Sequence, residues 1–363
     1  MKKLSVLLLI ISSQLSLAQS SRNYSNEFLN IGVDAAAFGM SKSVTATSKD
    51  VNSIYWNPAG LANVEINQGA LMHTEYFAGI ANYDYVSAAI APKEGNKTVI
   101  AFSLIRFGVD NILNTATLID SQGNIDFSKI RLFSAADYAL NFALATKIKR
   151  VKNLDIGINA KVIRRTIGDF ASSWGFGFDA GIQYAIEDWE LGLMARDLTT
   201  SFNIWEINSE KLNSIKEAIP GQNSATPETV EITIPKLHFG IARNFQLKNK
   251  NFHLLSALDL HIRFIETNDL ISTSFASLTP SIGFQLDYKK IVFLRSGIGN
   301  LQKVNTFTKK SLTLEPNIGL GFKYHGVQID YALSNIASSG NALYSNTFSI
   351  KVDFDFYKSK KTP

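Results

Sequence analysis

Five histidines, His73, His238, His253, His261 and His325, are the side chains of this 363-residue sequence best suited to proton transfer or metal ligation. None falls in a His-Glu-x-x-His string, the spacing that puts two zinc ligands and a general base on one helix face. Cysteine is absent, which excludes disulfides and thiolate metal sites. His253 and His261 share a parity on one extended segment. Eight residues of strand rise separate them by about 25 Å, too far for a common metal. A barrel phospholipase would need a serine and a histidine held together by an orienting polar group. His261 and many serines are present, and no spacing picks out a pair. Gly-x-Gly strings lie inside alternating segments with no helix behind them, and Glu94-Gly95-Asn96-Lys97-Thr98 lacks the upstream glycine of a phosphate loop. These residues predict no catalytic centre, no metal and no cofactor, so the chain reads as a non-enzyme.

The elements that carry these residues are strands. From residue 66 onward apolar and polar side chains alternate with period two. In 153–162, Leu154, Ile156, Ile158, Ala160 and Val162 share one face, and Asn153, Asp155, Gly157, Asn159 and Lys161 the other. Segments 174–186, 258–264 and 348–356 repeat the pattern. The chain is 45% hydrophobic and only 18% charged, against about 25% charged for soluble domains. That balance disfavours an ordinary soluble enzyme, and it excludes a disordered chain. Past the N-terminus no apolar run approaches the roughly 20 residues of a membrane helix.

Fourteen strands are expected, at 66–77, 80–91, 97–110, 131–149, 153–166, 171–186, 189–198, 230–245, 251–264, 277–287, 291–300, 311–324, 327–335 and 344–357. Many run about ten residues or more, the length a tilted strand needs to cross a bilayer, and the even count suits a single-chain barrel. Closure also removes the sticky edge that long greasy strands would otherwise expose. Short connections such as 92–96, 150–152 and 325–326 alternate with long ones such as 111–130 and 199–229, the asymmetry of periplasmic turns and extracellular loops. With both termini periplasmic the parity closes. The fold class read from this pattern is all-β: a fourteen-stranded antiparallel transmembrane β-barrel over 66–357.

Lys2 and Lys3, an apolar stretch over 4–11 and Ser16-Leu17-Ala18 predict a secretory signal peptide at 1–18. Without Lys2 and Lys3 there remain 34 basic against 31 acidic residues, and Lys358, Lys360 and Lys361 sit in a basic tail at 358–363. The body is therefore close to neutral, with no clustered basic face for nucleic acid.

Residues 19–65 do not alternate and read as a loop-and-helix segment, with Asp50 as a candidate N-cap of a helix ending before Asn57. The string Trp56-Asn57-Pro58-Ala59-Gly60-Leu61, behind Asp50-Val51-Asn52-Ser53, resembles the N-terminus of the FadL-like outer-membrane proteins. It is most similar to the PorV/PorQ branch, which is linked to type IX secretion. The resemblance implies a fourteen-stranded barrel with the N-terminal segment inserted in the lumen. It also implies the cell outer membrane as location and binding to translocon components or to the C-terminal signal domains of secreted cargo. Partners so implied are outer-membrane lipid, type IX translocon components and cargo proteins.

Strand parity supplies a counterpart to the inserted segment. Gly175, Gly177 and Gly181 share one face, as do Gly319 and Gly321, and both sets point away from the apolar side. Missing side chains there leave room for residues 28–62 to approach the wall, with Trp56 as a buried anchor; glycines that bend strands at barrel corners are the other reading. In the 199–229 connection, Phe202, Ile204, Trp205 and Ile207 form a candidate partner-binding loop, because exposed apolar residues suggest a contact surface. The competing function is a FadL-like channel for uptake of hydrophobic small molecules such as fatty acids, which needs an apolar lumen. The inward faces read as polar, with Lys161, Asp179, Asp259, Arg263, Lys351, Asp353 and Asp355.

Overall fold

Period-two alternation gives each strand one apolar and one polar face, and closing the sheet turns the polar face inward. The computed structural model describes residues 25–76, 79–92, 97–115, 118, 122–211, 229–305, 310–334 and 345–354. The expected signal at 1–18, the tail at 358–363 and Asp355 lie outside them. Among these residues seventeen strands form one closed antiparallel sheet. In order they are β1 (Asn67–Tyr76), β2 (Ala81–Ile90), β3 (Thr98–Asn114), β4 (Arg131–Lys147), β5 (Leu154–Ile167) and β6 (Ala171–Ile186). Then come β7 (Trp189–Arg196), β8 (Ser201–Ile207), β9 (Val230–Thr233), β10 (Lys236–Gln246), β11 (Phe252–Arg263) and β12 (Ile271–Ser272). The last are β13 (Ser277–Tyr288), β14 (Val292–Asn305), β15 (Lys310–Tyr324), β16 (Val327–Ser334) and β17 (Ser345–Phe354). They fill fourteen places in the wall, because β8 prolongs β7, β9 leads into β10, and β12 is a two-residue wedge. Pairing of β17 with β1 closes the ring.

The register carries the apolar side across the wall. Leu71, Val86, Leu104, Leu140, Val162, Phe176 and Phe202 are successive cross-strand partners, and most of this row is exposed on the outer surface. The inner surface buries Asn159, Lys161, Asp179, Asp259, Arg295 and Asp330. A greasy exterior around a polar interior is the arrangement of a membrane-embedded barrel. A slip of one residue in any strand would reverse it, so the register is strongly specified.

Two stretches depart from the expected strands. The 199–229 connection begins with a strand, β8, so Phe202, Ile204, Trp205 and Ile207 are wall residues and not loop residues. Phe202 and Ile204 face outward, and Trp205 lies half-buried with the Arg165 guanidinium 5.1 Å from its ring. Between Ala195, opposite Ala180, and Phe202, opposite Phe176, the β7–β8 side carries three more residues than β6. The surplus forms a bulge at 197–200, with Asp197 and Thr200 in the left-handed region at φ 55° and 61°. Beside it the expected 230–245 strand is split by Pro235, which has no N–H to give the ladder, into β9 and β10. In the second stretch, the 265–276 connection folds into the wall where β13 and β14 part beyond Ile282 and Ile298. There the Leu270 amide donates to the Leu301 carbonyl (3.0 Å), and Ile271 pairs with Leu278.

Residues 25–65 run inside the barrel from the long-hairpin mouth to the short-turn mouth. Asn26 Nδ2 donates to Thr233 Oγ1 on β9 (3.0 Å), and Asn63 Nδ2 donates to Asp155 Oδ2 at the start of β5 (2.8 Å). The first described residue, Ser25, thus lies at the mouth opposite to the one where both termini were expected. The segment has only short helical turns, at Glu27–Asn30, Ala35–Gly39, Ser53–Trp56 and Pro58–Asn63. Asp50 accepts from the Asn52 amide (2.9 Å), and the turn at Ser53–Trp56 stops where Asn57 must be extended ahead of Pro58 (φ −162°). Phe28, Val33, Phe38, Val51, Ile54 and Leu61 of this segment form the buried apolar core together with Tyr83, Ile105 and Ile163 of the wall.

Candidate functional site

The site built by this sequence is the contact between the inserted segment and the lumen wall. It begins at residues without side chains. A Cβ on Gly157 would stand 2.5 Å from the Ala59 amide nitrogen and closer still to the Pro58 carbonyl. One on Gly181 would overlap Asn57 Oδ1, and one on Gly192 would come within 2.6 Å of the Thr45 carbonyl carbon. Gly319 lies against Gly39, where an added Cβ would be 3.0 Å from the Gly39 Cα. Of the five glycines expected to face the lumen, Gly181 and Gly319 meet the segment. Gly175 faces Asn203, Gly177 faces Ser201 and Lys161, and Gly321 faces Asp330 and Arg295. The last three therefore make room for side chains of the wall, not for the plug.

Polar side chains then fix the segment in place. Trp56 is 3% exposed, and its indole Nε1 donates to the Val33 carbonyl (3.0 Å). Asn57 Nδ2 donates to the carbonyls of Thr45 (2.9 Å) and Ile182 (3.1 Å), and its Oδ1 accepts from the Ala59 amide (3.2 Å). Pro58 opens the turn Pro58–Asn63, where its missing N–H costs nothing. Gly60 packs on the Ser48 carbonyl and Ser53 Oγ. Asp259 Oδ2 on β11 accepts from the amides of Val44 (3.1 Å) and Thr45 (2.9 Å). Arg196 Nη1 and Nη2 donate to the carbonyls of Leu29 (3.0 Å) and Tyr55 (2.7 Å), and its guanidinium lies 4.4 Å from the Tyr55 ring. Lys351 forms an ion pair with Asp50. Burial, with Asp330 and Asp50 nearby, pushes the Asp34 carboxyl up to about 6. Burial also acts to raise Asp50, but Lys351 outweighs it and holds that carboxyl below the usual range.

The plug leaves a cavity on each side of Trp56. The one toward the short-turn mouth, about 210 Å³, is lined by Asp34, Asp50, Arg295 and Lys351. The one toward the long-hairpin mouth, about 240 Å³, is lined by Lys42, Arg196, Lys236, His238, His261 and Glu315. His238 and His261 stand opposite each other on β10 and β11 with ring centroids 4.5 Å apart. Read as isolated residues they gave no sign of this. The tight connection between the two strands was the available signal, since it fixes which residues face each other. Among the described residues no group of three histidine or carboxylate side chains is placed to hold a metal.

Three solved structures are similar to this barrel over nearly its whole length. One is the CymD monoaromatic hydrocarbon channel, with TM-score 0.54, 11% identity and coverage of 89% of this chain and 98% of that one. The Ralstonia pickettii toluene transporter TbuX gives TM-score 0.53, 10% identity and coverage of 89% and 99%. The Pseudomonas putida toluene transporter TodX gives TM-score 0.52, 13% identity and coverage of 88% and 96%. The barrel has the FadL-like fold. At such identities the likeness concerns the fold alone. No family model matches the sequence, and no curated protein matches it. The closed fourteen-place wall agrees with the fold read from alternation, and the segment inside it with the insertion that the resemblance implies.

Proposed function

We propose that this protein is an outer-membrane channel of the FadL-like type that admits small hydrophobic molecules. The observation that carries the reading is a barrel alike, over nearly its whole length, to channels titled for monoaromatic hydrocarbons and toluene. A plug leaving space on both sides of Trp56 is compatible with a conduit. The long-hairpin mouth then faces the exterior and the short-turn mouth the periplasm. An apolar groove of about 440 Å³ on the outer wall, floored by Leu71, Val86, Leu104, Phe348 and Ile350, would collect an apolar solute from the membrane. The test is uptake of labelled toluene and of a labelled fatty acid by cells carrying this barrel in place of their own. Uptake above that of cells without a barrel is expected for at least one, and equal uptake for both removes the channel reading.

A role in type IX secretion is the second reading. It is favoured by the Asp50–Gly60 segment that resembles the PorV/PorQ branch, and by lumen cavities lined with charge, which suit a hydrophobic solute poorly. In this reading the external hairpins β3–β4 and β8–β9 receive translocon components or cargo. Deleting residues 208–229 would then abolish cargo secretion while the barrel still folds; undiminished secretion would discard the reading.

A further inference from the structure

We propose that the cavity above Trp56 binds a small hydrophilic anion, one bearing carboxylate or phosphate groups and no acyl chain. This site goes beyond the channel reading: three cations line the cavity without an ion-pair partner among the described residues. Arg196 and Lys236 are 5% and 9% exposed, and Lys42 is half-buried in the inserted segment. Among the described residues none of the three has a carboxylate within 4 Å. Arg196 donates to two carbonyls, Lys236 Nζ donates to Asn30 Oδ1 (2.9 Å), and Lys42 Nζ lies 5.5 Å from the centre of the Phe38 ring. Burial pushes the Lys42 ammonium below the usual lysine range. Buried charge without a counterion is costly, and proteins normally pair it.

The neighbouring carboxylates are already engaged. Asp269 is bonded twice to Arg263 Nη2 (2.6 Å each), and Asp179 and Asp197 close on Lys161 (2.8 and 2.6 Å) while their field also favours the Arg196 charge; Glu315, on the cavity wall, accepts from Asn300 (2.6 Å) and forms no ion pair with Lys42. His238, 8% exposed, keeps an Nδ1 with no hydrogen-bond partner. The backbone contributes to the arrangement: Ser41 and Lys42 are consecutive non-glycine residues in the left-handed region (φ 51° and 66°), a strained pair that presents Lys42 to the cavity. A volume of about 240 Å³, with Lys42, Arg196 and Lys236 on its wall beside the rings of Tyr55 and Trp56 and the Glu315 carboxylate, has room for a compact oxyanion.

The test is equilibrium dialysis of the purified full-length barrel in detergent against labelled citrate and labelled inorganic phosphate at constant ionic strength. Labelled glucose serves as the neutral control. Saturable binding of at least one anion, at one site per chain, is expected. A charge-assisted contact contributes about 1.5–3 kcal/mol, so Lys42→Gln and Lys236→Gln should each weaken binding about tenfold or more. Lys149→Gln, at the opposite mouth, should leave it unchanged. Lys42 makes no tight contact, so K42Q remains a valid test even if K236Q fails to fold. Binding no stronger than that of glucose, or equal affinity in K42Q, overturns the proposal.

Discussion

Replacing Gly157 by alanine tests whether the inserted segment is seated against the wall. The added Cβ would stand 2.5 Å from the Ala59 nitrogen and closer to the Pro58 carbonyl, where ordinary contact begins at 3.4 Å. Its neighbours are backbone atoms, held by the Asn57 bonds to Thr45 and Ile182, so the segment must retreat by about 1 Å to make room. Overpacking a filled interior costs about 1–3 kcal/mol, and a retreat that also strains those bonds puts Gly157→Ala at ~3 kcal/mol or above. Gly299→Ala is the matched control. It adds the same methyl to the lumen, but its nearest neighbours are side-chain Cβ atoms of Ser281 and Ser41 at 3.3 Å, and roughly 1 kcal/mol or less is expected. The assay is the temperature at which the folded band disappears on a semi-native gel, read together with protease cleavage within residues 25–65. Gly157→Ala should lose the folded band several degrees below the parent and expose the segment to protease. If it behaves like Gly299→Ala in both measurements, the packing described for Pro58 and Ala59 is wrong.

Lys161→Met would leave Asp179 and Asp197 buried without their shared cation, a loss of about 3–5 kcal/mol measured as a lower denaturation midpoint. Adding Asp197→Asn should recover part of it. Asp34 titrates near 6 in the folded protein against 3.8 for a free side chain, which disfavours its charged form by about 3 kcal/mol. Because the folded value is the higher one, this stability is fully present below about pH 4 and is lost as pH rises through 6. The parent should therefore melt progressively lower than Asp34→Asn between pH 4 and pH 7 in a thermal scan, and identical pH profiles would contradict the assignment.

The wall was legible because a two-residue period states both element type and facing, and Lys161, Asp179 and Asp259 turn inward where their parity puts them. What stayed hidden depends on contacts distant in sequence. Gly177 and Gly181 share a face, yet Asn57 approaches only Gly181, and the space at Gly177 is taken by Ser201 and Lys161. The three surplus residues at 197–200 reverse the parity between β7 and β8, so the segment carrying Phe202 and Ile204 looked like a loop when its pairing with β6 makes it wall. Pro235 could have marked the split between β9 and β10, since proline does not sit inside a central strand. His238 and His261 needed the hairpin register before they could be seen as neighbours.

The absence of cysteine allows the inserted segment to be tied to the wall directly. Ser43 Oγ and Ser281 Oγ are 2.9 Å apart, so a chain carrying Ser43→Cys and Ser281→Cys places two sulfurs within bonding reach. Oxidation of the folded barrel in its membrane, followed by digestion and mass spectrometry, should recover the peptides containing residues 43 and 281 joined by a disulfide, with neither thiol open to alkylation. Two freely alkylated thiols in a barrel that still runs as a folded band would mean that residues 25–65 do not fill the lumen.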